Sequence, residues 1–168
     1  MRRLQQNHRS LLVLAALVFA LAAPAARATD YLENEPNNDF PPTFLPGNPT
    51  FLSGDRLLGS ITSGDIDSHY ITFAGPEAPG LYRYTFDLLT SSSGSNGRDS
   101  LLDIYDASEN GFYLVRSDDF PGQEPASRII FDQFHSSTAN TVFGVDVFGF
   151  ASTDIFDYQL TISRIAPP

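Results

Sequence analysis

The segment Glu33-Asn34-Glu35-Pro36-Asn37-Asn38-Asp39 and the turn Gly64-Asp65-Ile66-Asp67 concentrate short-stemmed oxygen ligands in two separate stretches of the chain. Carboxylates and amide oxygens together suit a hard cation, and calcium takes about six to eight such oxygens in flexible geometry. Pro36 fixes one backbone angle and the Asn residues favour turns, so the first stretch reads as a shaped loop and not a helix. The alternative is a solvated acidic linker, because loops rich in Asp, Asn and Pro are common without an ion.

The elements that must position these residues begin after a leader. Arg2, Arg3, His8 and Arg9 form a basic start, Leu11 to Ala23 is an apolar run, and Ala26-Arg27-Ala28 is a small-x-small cleavage site. Residues 1–28 read as a secretory signal peptide cut before Thr29, the alternative being a retained membrane anchor, and Arg2-Arg3 is a weak hint of twin-arginine export. The expected location is outside the cytoplasm, extracellular or periplasmic, with no membrane span after cleavage. With no Cys in the sequence, neither a lipid-anchored N-terminus nor a disulfide can form.

Beyond the leader, six Arg face 20 Asp and Glu, a formal charge of −14, and there is no Lys. Such a surface repels nucleic acid and anionic membranes and attracts cations. A secreted domain without disulfides needs a large core or another staple, and a bound metal would serve.

Residues 29–50 form an extended, acidic, Pro- and Asn-rich lead-in with room for one helical turn. From there to residue 168 the pattern has period two. Arg56 to Ile61 and Ser68 to Phe73 are strands, the second with His69, Ile71 and Phe73 on its apolar face. In Leu81 to Leu89, Tyr82, Tyr84, Phe86 and Leu88 face one way. Ser91 to Gly97 is a polar loop. Leu101 to Tyr105 and Phe112 to Arg116 form a hairpin across Asn110-Gly111. Ser127 to Phe134, Thr141 to Phe148 and a last strand holding Tyr158, Leu160 and Ile162 complete the set. About eight short strands and no helix predict an all-β fold, an antiparallel β-sandwich of jelly-roll type in one domain.

Several motifs recur together in one family. They are the opening Glu33 to Asn38, the turn Gly64 to Asp67, Ala74-Gly75 before the next strand, the Asp99 to Asp106 strand, the pair Asp118-Asp119, and the closing Tyr158 to Ile162 strand. In their order and spacing the chain resembles the bacterial pre-peptidase C-terminal domain, a family that includes the collagen-binding domains of clostridial collagenases. The resemblance spans essentially all of the chain after the leader. It implies a non-catalytic jelly-roll sandwich, here as a stand-alone secreted module. It also implies calcium held by Glu33, Glu35, Asn37 and Asn38 on the lead-in and by Asp65 and Asp67 on the turn, with Ser60 as a backbone or hydroxyl ligand. The implied role is accessory or binding, toward an extracellular polymer or a secreted protein.

Other candidates carry less chemistry. His69 lies beside apolar neighbours and reads as a core-edge residue, and His135, next to Ser136 and Ser137, reads as surface. Asp118 and Asp119 with Asp99 and Asp103 could form a second cation site, or be charged ends of a hairpin. Tyr70, Tyr105 and Tyr113 could form an exposed aromatic surface for a sugar or peptide. No catalytic residue and no organic cofactor is assigned. Two rival readings stand beside the binding module: a small secreted hydrolase using clustered carboxylates, and a purely structural cell-surface component.

Overall fold

The computed structural model describes residues 27–35, 42–91, 99–107, 112–117 and 127–166. The leader up to residue 26, Asn37, Asn38, Asp39, the loop after Ser91, the Asn110-Gly111 turn and the Asp118-Asp119 pair lie outside the described residues.

Eleven strands build two sheets. They are β1 (Asp30–Leu32), β2 (Thr43–Phe44), β3 (Thr50–Phe51), β4 (Arg56–Ile61), β5 (Ile66–Phe73), β6 (Gly80–Ser91), β7 (Ser100–Asp106), β8 (Phe112–Ser117), β9 (Ser127–His135), β10 (Thr141–Gly149) and β11 (Phe156–Ile165). One sheet runs β1-β4-β11-β6-β9; the other runs β2-β5-β10-β7-β8, with β3 also on β5. Apart from the β7–β8 hairpin, successive strands from β4 to β11 alternate between the sheets, as in a jelly roll. The expected β-sandwich is therefore present.

Two details differ from the expectation. The strands number eleven among the described residues, where about eight were expected. The sandwich is also not wholly antiparallel, because β1 pairs parallel to β4, and β2 and β3 pair parallel to β5. These three strands come from the lead-in, where no helical turn forms among the described residues. They are two or three residues long, too short to show a period.

Inward parity fills the core. Tyr84, Phe86 and Leu88 of β6 are fully buried, as are Leu57, Ile71, Leu160 and Ile162, and Phe143 packs against both Tyr84 and Phe86 while Phe73 meets Tyr84. Burying each such side chain contributes on the order of 1.5–3 kcal/mol. His135 corrects its sequence reading. It is only 8% exposed, because β9 continues to it with inward parity, and its Nε2 lies 2.9 Å from the Tyr84 hydroxyl. Among the described residues, no helix is long and apolar enough to cross a membrane.

Candidate metal centre

The turn that opens β5 is built around Asp65. Its backbone N–H donates to the Thr62 carbonyl at 3.1 Å. The Thr62 amide and hydroxyl donate back to Asp65 Oδ2 at 3.2 and 3.0 Å, and the Ile66 amide donates to Oδ1 at 3.0 Å. Gly64 completes the turn at φ 78°, a left-handed conformation that glycine adopts without a steric cost. Two residues on, period two carries Asp67 to the inner face of β5, and His69 follows on the same face.

The lead-in approaches from the other sheet. After β1 pairs with β4, the Glu33 amide donates to the Leu58 carbonyl at 3.1 Å. The Glu33 side chain then turns inward. The Ser60 amide donates to Oε1 in a short bond, and the Tyr158 hydroxyl donates to Oε2 at 2.8 Å. His69 Nε2 lies 3.6 Å from the same oxygen and 3.4 Å from the Tyr158 hydroxyl. Gly59 makes room for this approach: a Cβ there would collide with the Glu33 carboxyl and the Tyr158 ring.

Two groups of ligand atoms result, and Asp67 belongs to both. Glu35, Asp65 and Asp67 have carboxylate oxygens within 4.8 Å of one another, and so do Glu33, Asp67 and the His69 ring. Asp67 is 0% exposed, and neither of its oxygens accepts a hydrogen bond. An ionised carboxylate in that position costs several kcal/mol unless it is paired or bound to a metal.

The electrostatics reflect this. Burial, together with the neighbouring Glu33 carboxylate, pushes Asp67 from 3.8 up to about 9. Glu33 goes the other way. Burial raises it, but the His69 and Asp67 side chains beside it, with the hydrogen bonds from Ser60 and Tyr158, outweigh that and bring it to about 2. Without a cation, Asp67 is therefore protonated at neutral pH while Glu33 stays ionised. Burial, with Asp67 and Glu33 alongside, raises the Tyr158 phenol well above its usual value, so it stays a neutral donor.

Of the expected ligands, Glu33, Glu35, Asp65 and Asp67 converge. Asn37 and Asn38 lie outside the described residues. Ser60 faces the centre as an amide donor to Glu33. His69 and Tyr158 were not expected here. His69 shared a face with Asp67 by simple alternation, which was a usable signal. Tyr158 was legible only as an inward residue of the last strand.

The other candidates sort differently. Asp103 is held by Arg116 through bonds of 2.7 and 2.5 Å, which occupies one member of the suggested second cation site. Tyr70 and Tyr105 flank Gly144 from either side on the outer face of the six-stranded sheet. Phe44 lies against Tyr70 at 5.1 Å, and Tyr105 donates to Asp146 at 2.6 Å. The side chain of Tyr113 lies outside the described residues.

No family model matches the chain, and no curated protein matches it. Among solved structures, one titled "CBM4 structure and function" is similar at 12% identity and a TM-score of 0.31, covering 62% of this chain. The match spans 64% of that structure's chain, under two thirds of its length.

Proposed function

We propose that this chain is a secreted, non-catalytic β-sandwich module of the pre-peptidase C-terminal kind, with its acidic lead-in fastened to the sandwich by calcium. It would act as an accessory or binding module toward an extracellular polymer or another secreted protein. The observation that carries the metal reading is Asp67, wholly buried with both oxygens unpartnered, set between Glu33 and Glu35 from one segment and Asp65 from another. A dication there would neutralise the carboxylates and give the Asp67 oxygens a partner. Glu33, Glu35, Asp65 and Asp67 would hold it, with Asn37 and Asn38 proposed as further oxygen ligands. An all-oxygen set of this charge suits calcium.

A hydrolase is the second reading, since Glu33 and Asp67 are carboxyl groups pushed apart in pKa, as in acid–base pairs. Burial argues against it: Asp67 has no surface from which to touch a substrate. The deciding experiment is calorimetric titration of calcium into metal-free residues 29–168, alongside an activity screen on sugars and peptides. Saturable binding without turnover supports the module. Absence of calcium heat, with identical melting in chelator and calcium, would sink it.

A further inference from the structure

Asp55, in the short turn between β3 and β4, is another buried carboxylate, only 2% exposed. One oxygen closes a local turn, accepting from the Leu52 amide at 2.8 Å. The other reaches out of the turn and accepts from the backbone nitrogen of Thr29 at 2.7 Å. Among the described residues Asp55 forms no ion pair. The nearest arginine in sequence, Arg56, is committed to Asp30 through bonds of 2.6 and 2.7 Å. A buried carboxylate without a cation is costly.

Thr29 is also where the lead-in joins the sheet. Its carbonyl accepts from the Arg56 amide at 2.9 Å, Asp30 enters β1, and Tyr31 packs on Phe51 at 4.3 Å. Arg27 and Ala28 just ahead of it are exposed. Thr29 is the residue that the small-x-small motif places first after cleavage.

We infer that removal of the leader at the Ala28–Thr29 bond completes a buried ion pair, the freed α-ammonium of Thr29 seating on the Asp55 carboxylate. The inference rests on the secretory reading. Hydrolysis by a signal peptidase consumes one water, leaves a carboxylate on Ala28 of the leader, and leaves an amine on Thr29 that takes a proton. The neutral amide that now donates to Asp55 becomes a cation at the same position. A charge-assisted bond of this kind is roughly twice as strong as a neutral one. Processing would then do more than release the protein: it would supply the countercharge that locks the first residue of the lead-in.

Two chains test this, each freed from a fusion partner without a scar: residues 29–168, and the same chain with Arg27-Ala28 retained. The chain starting at Thr29 should melt about 2–5 °C higher, and Asp55→Asn should close that gap. Equal melting of the two wild-type chains, or a gap that persists in Asp55→Asn, overturns the pairing. The sequence has no Lys, so the α-amine is the only primary amine of either chain. A paired ammonium with its pKa raised by one unit should react about tenfold more slowly with an amine-reactive ester near neutral pH. This readout needs no variant, and equal labelling rates would overturn the pairing even if Asp55→Asn failed to fold. Intact mass of the exported protein tests the secretory reading separately. A first residue other than Thr29 overturns the processing step, whatever the purified chains show.

Discussion

The Tyr158 hydroxyl donates to Glu33 Oε2 at 2.8 Å, joining residues 125 positions apart. It ties the last strand to the segment that follows the first, across the mouth of the carboxylate cluster. The order of the lead-in is thus coupled to the charge state of the cluster, and four predictions rest on that coupling.

Calcium should stabilise the protein. At free calcium near 100 times the dissociation constant, linkage supplies about 2.7 kcal/mol. For a domain of this size that is on the order of 5–10 °C in melting temperature. Scanning calorimetry in chelator and in millimolar calcium checks it. A shift reproduced by monovalent salt at matched ionic strength would point to screening of the acidic surface.

Asp67→Ala should remove most of the calcium response and leave the sandwich folded. Asp132→Ala is the control. Asp132 pairs with Arg83 in an exposed ion pair on β9, at the opposite edge of the sheet from β1. An exposed pair of this kind adds little to stability, so this variant should keep the full calorimetric titration. Equal loss in both variants would contradict a localised site.

The metal-free protein should lose stability as pH rises. Asp67, raised from 3.8 to about 9, favours the fold when protonated, and that contribution drains away as pH climbs between those values. Glu33, lowered from 4.5 to about 2, contributes above 4.5 and loses its contribution as pH falls toward 2. Stability without calcium should therefore peak at mildly acidic pH and decline toward pH 9. Calcium must displace the Asp67 proton, so its affinity should strengthen over the same range. Titration calorimetry in buffers of different ionisation enthalpy should show close to one proton released per ion at neutral pH.

Gly59→Ala should loosen the lead-in from a distance. The added methyl would meet the Glu33 carboxyl and the Tyr158 ring, neither of which can retreat without leaving its hydrogen bonds. Overpacking of this kind costs about 1–3 kcal/mol. Calcium affinity should fall together with stability. An unchanged titration would mean that Glu33 does not need its present seat.

Much of this architecture was legible in the sequence, and the gaps have physical causes. Arg56 to Ile61 was expected as a strand and is β4 residue for residue. The Tyr82 to Leu88 alternation carried β6 because a half-buried strand enforces period two. The strands β1, β2 and β3 escaped notice because they exist only by pairing with β4 and β5. The two acidic stretches stood out by residue type, and the fold brings Glu33, Glu35 and Asp65 to Asp67. The part played by Tyr158 depended on a pairing of β11 with β4 that no local spacing announces. His135 was misread from the serines after it, although it keeps the inward parity of Ile129.

The lead-in touches both sheets on the same flank. Its first strand covers the open side of β4, and its next two cover the open side of β5. Were it to lift away, each sheet would present a long strand with a row of unmatched amides and carbonyls, and such rows template pairing with other chains. The segment that gathers the carboxylates is therefore also what keeps neighbouring molecules from zipping together. Under the proposed calcium reading, a chelator should produce self-association first, before the core itself gives way.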